Sequence, residues 1–185
     1  MIFLDKLIEF LLKGPKKGTQ IILSIVGTLL FFAYIVLYVI FSIWIGVFLG
    51  LPKFPVPPWN TLLSMPFLTV GFFLQFWSIL EFIKARGTPA RFNPPMKLVT
   101  TGPYAYIRNP QSTGWFTIFI GIGILFQSVS LIFIFTPLFM LISVIQLKKI
   151  EEPVLRKRFG KEYIEYKKRE PLYIPRLKSK VKKQR

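Results

Sequence analysis

The sequence predicts an all-α integral membrane protein: four transmembrane helices, an N-terminal interfacial amphipathic helix and a cytoplasmic C-terminal helical segment, in one domain. Three observations lead there. Of the 185 residues, 52% are hydrophobic, mean hydropathy is +0.51, and the apolar residues gather in blocks of membrane length. Twenty Phe, four Trp and seven Tyr suit a lipid-facing surface with aromatic anchors at its edges. The basic residues lie between and after the apolar blocks: four before the first, one in 50–61, five in 84–113, none between the third and fourth, and fifteen from Lys148 on. By the positive-inside rule this puts both termini and the central loop in the cytoplasm. The net charge of +17 then faces anionic headgroups, not nucleic acid. Cys and His are both absent, which excludes a disulfide framework, a thiol nucleophile, a Cys-ligated metal and the commonest general base.

Each element follows from local pattern. In residues 1–17, Asp5, Glu9 and Lys13 share one helical stripe and apolar residues cover the rest, the pattern of a helix lying in the interface. Acidic residues interrupt the apolar run, so it does not read as a signal peptide. The first span, 21–49, carries no charge and is long enough to tilt or project. LPKFPVPPWN (51–60) is a proline-rich loop with Trp59 as an interfacial anchor. The second span is 62–83, closing with Glu81. Residues 84–113 form a long loop whose five prolines favour ordered turns over helix. From Gly114 to Leu147 a single helix would measure about 51 Å, too long for a bilayer. The break at Gln127–Ser130 therefore predicts a hairpin of two spans, 114–126 and 131–147, with Gly121 and Gly123 allowing close contact. A charged cytoplasmic segment, 148–176, and a basic tail, 177–185, follow.

Chemistry concentrates in LVTTGPYAYIRNPQSTG (98–114), a polar, turn-rich stretch between apolar blocks. Pro110 can open a helix at its first position. Arg108 offers a fixed charge and a planar fork suited to a carboxylate or phosphate. The four-span topology brings Tyr104, Tyr106, Arg108 and Asn109 to the same membrane face as Glu151 and Glu152. Fixed cation on one side and paired carboxylates on the other suit a zwitterion.

Plainer readings stand beside these. Arg108 can be a snorkelling residue, Glu151 and Glu152 an exposed turn paired with Lys148 and Lys149, and Tyr104 and Tyr106 interface anchors. Leu155, Phe159 and Tyr163 share a spacing that packs a surface helix onto the hairpin. Glu81 is either a boundary charge, with Lys84 three residues away, or a site residue.

Several motifs recur in order around the short hairpin: GTPARFNPP (87–95), LVTTGPYAYIRNP (98–110), Gly114, EEPVLRKRFGKEYIEY (151–166) and IPR (174–176). Together they resemble the isoprenylcysteine carboxyl methyltransferase and phospholipid methyltransferase family of membrane enzymes, over about Gly87 to Arg176. The resemblance implies S-adenosylmethionine as methyl donor, bound at the cytoplasmic face without a Rossmann domain, and a lipid or lipidated acceptor such as a prenylcysteine carboxylate or a lipid amine. The family's Arg-His-Pro-x-Tyr-x-Gly motif falls on Arg108, Pro110 and Gly114, and its Glu-Glu pair on Glu151 and Glu152. Asn109 stands in place of the His and Ser112 in place of the Tyr. The implied cofactor-binding set is Tyr104, Tyr106, Arg108, Asn109, Pro110, Gly114, Glu151 and Glu152; Glu81 and Arg108 are the catalytic candidates, and no metal is expected. Two other classes compete: an NADPH-dependent lipid or sterol-type reductase, and a non-catalytic membrane scaffold or transporter. A transporter is expected to carry ionisable residues near mid-span, and these spans have none.

Overall fold

The charge-free run after Lys17 has no reason to break its backbone hydrogen bonds in an apolar medium, and it forms one long helix. In the computed structural model, which describes residues 17–85 and 97–174, α1 spans Lys17–Phe48 and α2 spans Trp59–Lys84. A 3₁₀ turn, Gly102–Ala105, precedes α3, Pro110–Leu125. A π-helical turn, Leu131–Phe135, leads into α4, Thr136–Gln146. A second, Leu147–Glu151, leads into α5, Glu152–Arg169. The interfacial helix expected over 1–17, the GTPARFNPP motif and the basic tail lie outside the described residues, apart from Lys17 itself.

The helices alternate in direction. Asn60 Nδ2 donates to the Leu125 carbonyl at 2.8 Å, while Gly71 packs on Gly114 and Ile118, so α2 and α3 are antiparallel. Ser128 bridges Lys53, which sets the hairpin tip beside the loop joining α1 and α2. At the opposite end lie the close of α2, residues 97–109 and the charged C-terminal segment. The two regions expected to share one membrane face do share one end of the fold.

Among the described residues, three helical stretches are long and apolar enough to cross a membrane: Ile21–Phe48, Trp59–Lys84 and Leu131–Arg169. The third of the expected spans is the exception. Its helix, α3, has 16 residues, about 24 Å against a hydrocarbon core of about 30 Å. The helix also begins at Pro110 rather than Gly114, so the end of the expected loop is helical. No break separates the fourth span from the charged segment either; α4 runs through the π turn into α5, and Leu147–Lys148 is a boundary in chemistry only.

Close approach holds the bundle together. A Cβ on Gly71 would come 3.0 Å from the Gly114 carbonyl oxygen, and one on Gly114 would come 3.1 Å from that of Gly71. Small residues let the two backbones meet where lipid supplies no hydrophobic drive. Gly123 faces Ile132 across the hairpin as expected, whereas Gly121 packs on Leu68 of α2. Ile35, Phe116, Phe119, Leu131, Phe135 and Phe139 form the apolar core, with Phe119 and Phe139 edge to face at 4.9 Å. Tyr38 of α1 donates to the Phe135 carbonyl at 2.6 Å, and Thr136 to that of Leu131 at 2.7 Å, so side chains satisfy carbonyls in the π turn.

The feature that builds the site lies inside α5. Gly160 has φ 54° and ψ −124°, a backbone that strongly favours glycine. Lys167 nevertheless reaches Glu152 with its ammonium group. On a straight helix those residues would sit about 22 Å apart, beyond the reach of both side chains. The chain therefore folds back at Gly160 into two arms, 152–159 and 161–169. The returning arm delivers Tyr163, Tyr166, Lys167 and Glu170 to the segment before α3.

Candidate functional site

Pro110 sits at the first turn of α3, where its missing N–H is no loss. Asn109 is the N-cap: its side-chain oxygen accepts from the Ser112 amide at 3.2 Å. That fixes Arg108 one residue before the helix. Its own backbone is also paired, because the Arg108 amide donates to the Pro171 carbonyl at 2.8 Å and the Asn109 amide to that of Leu172 at 3.2 Å. Residues 108–109 and 171–172 thus lie side by side.

Arg108 and Glu152 meet directly. Nη1 of Arg108 donates to Oε1 of Glu152 at 2.8 Å, and Nε donates to the Glu170 carbonyl at 3.0 Å. The second Glu152 oxygen accepts from Lys167. Burial works to raise the Glu152 pKa, but the hydrogen bonds from Lys167 and Arg108 outweigh it and hold the carboxyl below its ordinary range. Tyr163 lies against the same cluster; burial first, then the Glu152 charge, pushes its phenol up to about 12. Glu151 precedes Glu152 on the π turn and is half-buried.

The remaining candidates separate by position. Tyr104 is buried, its ring edge to face with Phe82 at 5.5 Å, and its carbonyl accepts from the Tyr166 hydroxyl at 2.8 Å. It is a packing residue between α2 and the returning arm, not an exposed interface anchor. Tyr106 is 43% exposed. Gly114 faces α2, where a Cβ would come 2.9 Å from Gln75 Nε2. Glu81 is only 5% exposed; Lys84 donates to one of its oxygens at 2.7 Å and Thr101 to the other. Gly102, at φ +60°, lies so close that a Cβ would sit 2.6 Å from Glu81 Cγ. Glu81 thereby ties the turn before α3 to the end of α2.

Sequence reasoning missed Lys167, Tyr166 and the backbone of 170–172. The signal was present: Tyr163, Tyr166, Lys167 and Glu170 recur at helical spacing just after a glycine. Chemically, the cluster sets a planar cation against a buried carboxylate, with a second cation and a neutral phenol beside them. No group of His, Cys, Asp and Glu suited to a metal ion occurs among the described residues.

Against known proteins, the chain matches the model of the phospholipid methyltransferase family over residues 59–162. The match begins with α2, earlier than the motifs at Gly87, and ends just before Tyr163. None of the curated proteins compared with the chain matches it. With more than half of its length covered, and three helices among the described residues long and apolar enough for a membrane, this chain belongs to the phospholipid methyltransferase family.

Proposed function

We propose that the protein is an S-adenosylmethionine-dependent methyltransferase acting on a lipid-like acceptor held in the membrane. On this reading α3 is a short third crossing of four, both termini are cytoplasmic, and Arg108 and Glu152 lie at the cytoplasmic face. One observation carries the proposal: in a chain of this family, two segments 44 residues apart bring Arg108 and Glu152 into contact where α3 begins. The methionine end of the donor is a zwitterion, and the donor set fits it. Arg108 would take the carboxylate, and Glu152 with Glu151 the ammonium.

When bound, the donor supplies a methyl group activated on a sulfonium sulfur. The chain's own part is positioning and exclusion of water, which can account for much of the acceleration of a displacement between two held reactants. Asn109 caps α3 and keeps Arg108 in place, while the returning arm covers Arg108 from the other side through Pro171 and Leu172. Tyr163 stays protonated at neutral pH and can donate to an oxygen. Glu81, with both oxygens taken by Lys84 and Thr101, suits holding the turn rather than moving a proton. A carboxylate acceptor needs no base; an amine acceptor sheds its proton to water.

Membranes from cells expressing the protein, incubated with methyl-labelled S-adenosylmethionine, test the proposal. It expects label in a lipid fraction, with Arg108→Ala reducing incorporation at least 100-fold, on the order of the about 2.7 kcal/mol that such a clamp provides. Unlabelled lipid with the native chain would sink it.

A further inference from the structure

Glu152 takes cations from two distant parts of the chain, Arg108 from the turn before α3 and Lys167 from the returning arm. Arg108 is the group the proposed function sends to a ligand carboxylate. Turning part of its fork away leaves a mostly buried carboxylate short of its partner, which is strongly unfavourable. Lys167 supplies the missing charge from the other oxygen.

We infer that Lys167 is a positioning residue for the methyl-donor site: it holds Glu152 charge-balanced and aimed while Arg108 serves the ligand. The inference rests on the function proposed above. Two observations carry it. Lys167 reaches Glu152 only because Gly160 reverses the helix. Its side chain is 35% exposed, whereas Glu152's is 11%, so the lysine comes from the solvent side to a fixed carboxylate.

The surroundings of Glu152 set the sign of the effect. Facing it are Arg108 from the turn before α3, and Lys167 and the Tyr163 phenol from the returning arm of α5. Arg156 and Lys157 on its own arm and Lys148 on the preceding π turn line the same cleft, and Glu151 precedes it. Removing Lys167 withdraws the larger of the two hydrogen-bond contributions that favour the carboxylate. The acid limb of ligand binding then moves to higher pH.

The test is titration calorimetry of S-adenosylhomocysteine into detergent-solubilised full-length protein from pH 4.5 to 8, with Lys167→Met, Lys167→Arg and the exposed neighbour Lys168→Met. Lys167→Met should weaken binding about tenfold near pH 6, equivalent to about 1.4 kcal/mol, and less at pH 8. Lys167→Arg should restore the native profile, and Lys168→Met should follow it. If the native protein binds and Lys167→Met keeps its affinity and pH profile, the inference fails while the proposed function stands. A pH-independent loss that arginine does not rescue also overturns it, as a purely structural effect. A native protein that does not bind overturns both.

Discussion

Replacing Gly160 with alanine isolates the reversal on which the candidate site depends. A Cβ at this position meets nothing within 4 Å, so the substitution adds no clash. Its whole effect comes from forcing an L-residue to φ 54° and ψ −124°. Such strain costs about 1–3 kcal/mol, which shifts the balance between the folded-back and extended arms about 5- to 150-fold. The readout is amide hydrogen exchange at Arg108 and Asn109, whose N–H groups donate to Pro171 and Leu172 on the returning segment. In Gly160→Ala both amides should exchange faster by that factor, while amides in the middle of α1 keep their rates. Native exchange at Arg108 and Asn109 in the variant would show that the arm does not return through Gly160, and the account of the site would fall with it.

Two further consequences concern stability. Gly114→Ala drives a Cβ to 3.1 Å from the Gly71 carbonyl and 2.9 Å from Gln75 Nε2, the group that donates to the Gln111 carbonyl. Thermal unfolding in detergent should show a loss of about 1–3 kcal/mol, the usual range for overpacking. Glu152 has a folded-state pKa below its unfolded value of about 4.3. Its ion pairs therefore contribute fully above that pH and are lost as pH falls through it toward the folded value. Melting temperatures between pH 7 and 3 should contain this acid-side fall in the native protein. Glu152→Gln should lack that component.

Much of the fold was legible because apolar blocks and charge boundaries are local facts. The charge-free run after Lys17 and the break at Gln127–Ser130 appear where pattern puts them, and Pro110 opens α3 as its chemistry allows, four residues before the expected start of the span. The meeting of Arg108 and Glu152 followed from topology, since both segments come to one end of an alternating bundle. What pattern could not give was the reversal at Gly160. Leu155, Phe159 and Tyr163 keep a helical spacing straight through that glycine, and periodicity does not record a change of direction between two helices. Tyr104 was misjudged for a related reason: a tyrosine near a span end has the composition of an interface anchor, and only the Phe82 and Tyr166 contacts show that it is packed inside. Asn109 was placed in the implied cofactor-binding set, and its side-chain oxygen caps α3.

The central claim is that Arg108 and Glu152 form the two halves of a clamp for the zwitterionic end of a methyl donor. Titration of S-adenosylhomocysteine into the purified protein at neutral pH, compared with Arg108→Ala and Glu152→Ala, tests it most directly. Saturable binding to the native chain is expected, with a loss of at least about tenfold in each variant from the charge-assisted hydrogen bonds removed. Unchanged affinity in both variants, or no binding to a folded native protein, would contradict it.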